Sequence, residues 1–347
     1  MRRTLRVAAA VCCAACLAVG AGAETVAESG VKAAPLPGRK SPSHFHRPAK
    51  NTPAEQLAYA NALRDGGRPG RAAAQYSLLV RTWHDSSEAP AAQFEYARLM
   101  EKAGDYDGAF EEYDYLIRNF FGGFPYNDVL DSQFRIANHV MTSRTRFLWV
   151  FPTADNLDRA LPMFERIVLN GPHWEKTAQA QFNVGWIHQK DGSYEEAVSA
   201  YETCRQNYPG TAFAADAAFG EAHCLYLLAL RSAREERGLS AARSSLNRFL
   251  ADYPDHESAG EAAKFRDDVV SRIAAMTFER AVFYDRRNLQ PRSALIAYRD
   301  FAAKFPESGK AEIARKRIAE LQAQTGAEPD AASPVEEPAG PDAGAGE

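Results

Sequence analysis

The chain has 347 residues, of which 46% are hydrophobic, and its formal net charge is −4. This length is enough for one elongated repeat domain or two compact domains, each with a sizeable core. The charge includes no basic block, which argues against a protein that binds nucleic acid.

The first 23 residues are typical of an export signal. A basic start, MRRTLR, precedes an apolar run from Val7 to Gly20 and an A-x-A cleavage site at 21–23. The run is too short to cross a membrane as a helix. A rival interpretation is a lipoprotein signal cut before Cys16, which would then carry the lipid, although the usual leucine is missing before it. No later stretch reaches 18 apolar residues, so the exported chain is predicted not to span a membrane.

Two segments have the composition of disordered chain. Residues 24–50 are rich in proline and glycine with little apolar periodicity, which predicts a flexible linker. Residues 325–347 hold six acidic residues, no basic residue, and many Pro, Gly and Ala, which predicts a disordered acidic tail. The folded part is therefore predicted to be residues 51–324.

Residues 178–209 contain the pattern of a helical hairpin. Gly185 is followed 12 positions later by Ala197 and then, four positions on, by Tyr201. Two helices cross closely only where small residues meet, and an aromatic ring fills the space beside the crossing. Gly192 allows the turn, and Pro209 ends the second helix because proline has no N–H to donate.

This pattern resembles the tetratricopeptide repeat (TPR), a two-helix unit of about 34 residues. Gln181 occupies the position at which the repeat usually has tryptophan. One hairpin cannot bury its apolar face alone, so similar hairpins should stack on both sides of it.

Two small residues, with a large apolar residue four positions after the second, recur along the chain. The other sets are Ala60, Ala72, Tyr76; Ala97, Ala109, Tyr113; Ala137, Ala160, Phe164; Ala222, Ala242, Leu246; and, in the last hairpin, Ala294 with Tyr298. A final amphipathic helix, from Ser308 to about Gln324, should close the stack, with Ile313, Ile318 and Leu321 inward and Lys310, Arg315, Lys316 and Arg317 outward. The sequence thus predicts an all-α, TPR-like solenoid of about six helical hairpins plus a C-terminal capping helix.

The third hairpin is interrupted by an insertion. Ala137 and Ala160 are 23 residues apart instead of 12, and the extra residues, within 143–155, include the apolar run FLWVF at 147–151. Such a run either packs on a neighbouring hairpin or presents a docking surface.

The second half of the chain resembles the BamD (YfiO) family of outer-membrane lipoproteins of the β-barrel assembly machinery. Its second helices end in aromatic–proline caps, and residues 278–301 read FERAVFYDRRNLQPRSALIAYRDF. The residues most similar to the family are Phe283-Tyr284, Arg286-Arg287, Ser293-Ala294 and the cap Phe305-Pro306-x-Ser308. The resemblance covers about 53–322 and is strongest from 178 onward.

The resemblance implies a non-enzymatic periplasmic scaffold, on the inner face of the outer membrane, that binds unfolded outer-membrane proteins and partner subunits in β-barrel assembly. In this family the first repeats bind the C-terminal signal of unfolded barrel proteins, and the last repeats contact partner subunits. The alternative is a soluble periplasmic adaptor of envelope or peptidoglycan machinery similar to CpoB, which shares the Y-P-x-S caps.

Aligning the first helices predicts a peptide-binding groove. One position of the repeat is apolar, and the position one helical turn later is mostly polar. The apolar position holds Leu57, Phe94, Phe134 and Phe182, and the later position holds Asn61, Arg98, Asn138 and Trp186. An apolar ridge beside amide and guanidinium donors suits an extended peptide. The alternative, that these phenylalanines only pack between stacked helices, is left open by the sequence.

No catalytic or metal-binding motif is present, and the eight histidines are scattered. We therefore expect neither an enzyme nor a cofactor. Cys204 and Cys224 lie on helices that should be adjacent, so in an exported protein they are candidates for a disulfide. They can equally be two small buried hydrophobic residues.

Overall fold

The computed structural model describes residues 47–143, 156–231, 236–287 and 290–326. Its α-helices are α1 Pro53–Asp65, α2 Pro69–Thr82, α3 Ala89–Lys102, α4 Tyr106–Asn119, α5 Tyr126–Thr142, α6 Leu157–Asn170, α7 Thr177–Asp191, α8 Tyr194–Asn207, α9 Ala212–Arg231, α10 Glu236–Asp252, α11 Ala259–Val282, α12 Pro291–Lys304 and α13 Ala311–Thr325. These residues include no strand. The predicted signal, Cys16, most of the linker, the apolar run of the insertion and nearly all of the acidic tail lie outside the described residues.

Consecutive helices pair into six hairpins, from α1 with α2 to α11 with α12, and α13 packs on α12. The second helix of each hairpin also contacts the first helix of the next, so the core continues from hairpin to hairpin. This arrangement confirms the predicted TPR-like solenoid with a capping helix.

The fourth hairpin shows why its crossing needs glycine. A Cβ atom on Gly185 would lie 2.6 Å from the ring of Tyr201, and a Cβ on Gly220 of α9 would lie 2.6 Å from the opposite side of the same ring. Tyr201 is buried, and its hydroxyl donates to Gln189 at 2.7 Å. One tyrosine therefore fills the space between α7, α8 and α9. The turn predicted at Gly192 is present, with a left-handed φ of 84°.

A buried glutamine recurs four residues before the crossing residue on four first helices. In three of these hairpins its side-chain Nε2 donates to the backbone carbonyl that precedes the buried tyrosine. These bonds are Gln56 to Gln75 O (3.2 Å), Gln93 to Glu112 O (2.9 Å) and Gln181 to Ala200 O (3.0 Å). The fourth glutamine, Gln133, instead accepts from Asn170 at 3.4 Å. The position that is tryptophan in many TPRs is thus used here to hydrogen-bond the two helices of a hairpin.

The capping helix agrees with the sequence prediction at Ile318 and Leu321, which pack against the core, and departs from it at Arg317 and Ile313. α11 continues into a π-helical turn, Phe283–Arg287, which carries Asp285. Two nitrogens of Arg317 donate to the two carboxylate oxygens of Asp285, each at 2.7 Å, and the Asp285 side chain is only 6% exposed. The prediction that Arg317 points outward is therefore wrong, because the buried carboxylate needs a cation. The inward position predicted for Ile313 is also wrong, since its side chain is 59% exposed.

One helix among the described residues, α9, is long and apolar enough to cross a membrane by length and composition alone. It packs between α8 and α10 and buries alanines along its length, as core helices of soluble solenoids also do.

Cys204 and Cys224 are both buried and free. Burial raises the pKa of each thiol to about 12. The structure thus contains two buried thiols and not the disulfide that the sequence left open.

Candidate peptide-binding grooves on the first helices

The four apolar groove candidates are all half-buried. Each phenylalanine packs against an aromatic ring of the second helix in its own hairpin. The ring-centroid distances are 6.2 Å for Phe94 to Tyr113, 6.0 Å for Phe134 to Phe164, and 5.5 Å for Phe182 to Tyr201. Other aromatic residues cover more of two rings: Phe134 also packs on Trp174 at 5.6 Å, and Phe182 on Phe213 at 5.8 Å. Each phenylalanine is nevertheless only half-buried.

The same position is phenylalanine in two further hairpins, which the sequence alignment missed. Phe219 and Phe278 each lie three residues before a buried alanine of a first helix and pack on Phe249 (5.5 Å) and Tyr298 (5.8 Å). Uneven spacing hid them, since the alanines that pair at these crossings are 20 and 13 residues apart. We call the six residues of this position, one per hairpin, the first-helix ridge: Leu57, Phe94, Phe134, Phe182, Phe219 and Phe278.

The donors predicted beside the ridge are mostly engaged within the chain. Asn61 accepts from the Tyr76 hydroxyl at 2.6 Å, and Asn138 donates to the Phe134 carbonyl at 2.8 Å. Arg98 lies over the Phe94 ring and donates to Glu95 at 2.8 Å. Lys190 lies 5.3 Å from the centre of the Trp186 ring. The two asparagine side chains are therefore hydrogen-bonded within the fold. Arg98 and Trp186 are half-buried and remain partly exposed.

An open groove of about 940 Å³ lies between α3 and α5. It contains three of the eight predicted residues, Phe94, Arg98 and Phe134, from two neighbouring hairpins. The other five, Leu57, Asn61, Asn138, Phe182 and Trp186, do not line it. We call it the α3–α5 groove.

Charged side chains of both signs surround this groove. Glu101 accepts from Arg135 at 2.7–2.8 Å and from the Tyr113 hydroxyl at 3.0 Å, which fixes these groups in place. Lys102 and Asp128 are exposed and form no ion pair within the described part of the chain. The groove thus has an aromatic floor and presents one available cation and one available anion to a ligand.

A second groove, of about 1240 Å³, lies between α11, the π-helical turn and α13. Phe278 of the ridge lines it, together with Phe283 (47% exposed) and Ile313. We call it the C-terminal groove.

Family comparisons match two parts of this architecture. Residues 174–327, which hold α7 to α13, match the YfiO family, described as an outer membrane lipoprotein. Residues 57–123 match a tetratricopeptide-repeat family. The chain is a TPR scaffold related to YfiO. The resemblance to BamD inferred from the caps and from residues 278–301 is thus confirmed. Both families are non-catalytic scaffolds that mediate protein–protein interactions.

Solved structures similar to this YfiO-related chain include two that are described as TPR proteins. YrrB, described as having an unusual peptide-binding site, is 21% identical over 61% of this chain and 92% of its own, with a TM-score of 0.31. A TPR protein from Parabacteroides merdae is 9% identical over 78% of this chain and 98% of its own, with a TM-score of 0.29. MamA from Desulfovibrio magneticus is 14% identical over 60% of this chain and 99% of its own, with a TM-score of 0.28. No curated protein matches the chain significantly.

Proposed function

We propose that this YfiO-related chain is a periplasmic scaffold in β-barrel assembly that binds segments of unfolded outer-membrane proteins in the α3–α5 groove. The observation that carries the proposal is the position of Phe94 and Phe134, which belong to neighbouring hairpins and line one open groove. Partner subunits would bind elsewhere on the solenoid, and the family resemblance suggests the last hairpins.

An extended peptide fits the chemistry of this groove. Successive side chains of an extended strand point to opposite sides, so alternate apolar residues can contact the aromatic floor together. Barrel strands have this alternation, with an apolar residue at every second position. Lys102 and Asp128 at the rim can each pair with an opposite charge on the peptide or its termini.

Binding of an unfolded barrel segment to purified protein tests the groove directly. Fluorescence anisotropy with a labelled peptide that alternates apolar and polar residues should show saturable binding. Phe94→Ala should weaken binding at least tenfold, because buried aromatic anchors contribute most to interface affinity. Phe219→Ala is the matched control, since Phe219 occupies the same ridge position, is half-buried like Phe94 and lies outside the groove.

Thermal unfolding of both variants shows whether each is still folded. Equal weakening by Phe94→Ala and Phe219→Ala, or no weakening by Phe94→Ala, would contradict binding in the α3–α5 groove.

Location in the envelope is supported by the export signal and by the YfiO match. Intact mass of the protein from its native membrane fraction tests the anchor. A chain that begins at diacylated Cys16 would agree with attachment to the outer membrane. A chain that begins at Glu24, with full release by osmotic shock and no barrel subunit recovered in mild detergent, would favour the CpoB-like soluble adaptor.

A further inference from the structure

The π-helical turn, α12 and the capping helix together carry a net positive charge. Residues 283–326 contain nine Lys and Arg against five Asp and Glu. Residues 327–347, which follow directly, contain six acidic residues and no Lys or Arg. Positive charge in residues 283–326 is thus followed directly by negative charge in residues 327–347, in a chain whose net charge is only −4.

Three exposed cations border the C-terminal groove, and we call them the basic rim: Arg286, Lys310 and Lys316. Arg286 and Lys310 line the groove, and Lys316 lies three residues after Ile313 on α13. None of the three forms an ion pair with another described residue, and Lys310 lies 4.9 Å from the centre of the Phe278 ring. They are therefore available to an anionic ligand.

Two of the three acidic groups that line the same groove share one cation. Arg317 pairs with Asp285 at 2.7 Å and with Glu320 at 2.6 Å, and this pairing holds the pKa of Asp285 below its usual range. The exposed Glu279 has no such partner among the described groups. The lining residues thus carry three acids and three bases, but the unpaired side chains around the groove, in the described part of the chain, are the three cations of the basic rim and one anion, Glu279. They lie near the exposed side chains of Phe283 and Ile313.

We propose that the acidic segment 327–347 of the same chain binds across the basic rim of the C-terminal groove. α13 ends at Thr325, and Gly326 follows with a left-handed φ of 62°, which turns the backbone away from the helix axis. Lys316 lies nine residues before Thr325, about 14 Å back along the helix. The 21 residues of the acidic segment can extend about 70 Å, so they reach the rim easily.

Covalent attachment makes a weak contact effective. Individual surface ion pairs contribute little, but a short flexible tether gives an effective concentration in the millimolar range. Segment 327–347 would therefore occupy the C-terminal groove until a partner with a stronger acidic surface displaces it. This proposal concerns a different surface from the α3–α5 groove and does not depend on the proposed function.

Lysine acetylation measures occupancy of the rim in the intact chain. The comparison is between the natural sequence and a full-length variant in which the six acids of 327–347 are replaced by Asn or Gln. Lys310 and Lys316 should react about three- to fivefold more slowly in the natural chain. Lys264, an exposed lysine of α11 away from the rim, should react equally in both. Equal rates at Lys310 and Lys316 would overturn the proposal.

Binding of a labelled peptide of residues 327–347 tests the basic rim directly. The peptide should bind the neutralised full-length variant with a Kd below about 1 mM and bind the natural chain about five- to tenfold more weakly, because the tethered segment competes. In the neutralised variant, combining Arg286→Gln, Lys310→Gln and Lys316→Gln should abolish binding of the peptide. The matched control, Arg68→Gln, Arg71→Gln and Arg81→Gln on the first hairpin, removes the same charge and should not.

A membrane surface is the competing ligand for a basic rim. If vesicles containing anionic phospholipid bind the natural chain and the neutralised variant equally through the rim, segment 327–347 does not occupy it and the proposal is wrong. Stronger vesicle binding by the neutralised variant would support it.

Discussion

Replacement of Gly185 by alanine tests the packing that holds the fourth hairpin together. The new Cβ would lie 2.6 and 2.7 Å from two ring atoms of Tyr201, closer than side-chain carbons approach in proteins. The ring cannot move away, because Gly220 contacts its other side and its hydroxyl is hydrogen-bonded to Gln189. The strain must therefore be relieved by separating α7 from α8.

The magnitude follows from two opposing effects. Overpacking a filled core costs about 1–3 kcal/mol. Alanine favours the helix over glycine by about 1 kcal/mol, which opposes this cost. We expect Gly185→Ala to lower the free energy of unfolding by up to about 2 kcal/mol.

Urea denaturation followed by circular dichroism measures this change. Gly260→Ala is the matched control, because Gly260 is also helical but no heavy atom lies within 4 Å of its Cβ position, so this change should be neutral or stabilising. In a Tyr201→Ala background the ring is absent, and Gly185→Ala should become stabilising. If Gly185→Ala stabilises the natural chain, or if its effect keeps the same sign without the Tyr201 ring, the packing argument is refuted.

Two further predictions follow from the charged and sulfur-containing groups of the core. Arg317 lowers the pKa of Asp285, so their ion pair stabilises the fold at pH values above the unfolded pKa of about 3.9, and this contribution is lost as the pH falls through the lower folded pKa. Denaturation at pH 7 and pH 2.5 should show that Asp285→Asn loses less stability on acidification than the natural chain; an equal loss would count against the pair. Burial raises the pKa of Cys204 and Cys224 to about 12, so iodoacetamide at pH 8 should modify neither thiol until guanidinium unfolds the chain. Mass spectrometry of the native protein measures this, and rapid labelling of either cysteine would contradict the buried position.

The repeated fold could be predicted because, in each hairpin, the large apolar residue follows the second small residue by four positions. Gly185, Ala197 and Tyr201 fit one pattern, and the structure places all three at the centre of the fourth hairpin. The glutamines that join the helices were not predicted as a set. Gln181 was noticed only as a substitute for tryptophan, since a hydrogen bond to a carbonyl 19 residues away has no local signature.

The grooves could be predicted only in part. Phe94 and Phe134 were identified as ligand-facing, but the sequence did not show that they share one groove without Phe182. The pairing of Arg317 was missed because a helical wheel gives the apolar stripe of one helix and no information on its neighbours. The partner of Arg317 is Asp285, which lies in a π-helical turn 32 residues earlier.

Site-specific photocrosslinking in living cells tests the central claim most directly. A photoreactive amino acid at Lys102, on the rim of the α3–α5 groove, should crosslink to newly exported outer-membrane proteins. The same amino acid at Lys264, an exposed position on another first helix, should not. Crosslinks from Lys102 to barrel proteins that disappear with Phe94→Ala would agree with a client-binding groove. Crosslinks only to soluble periplasmic proteins, or equal yields from both positions, would contradict it.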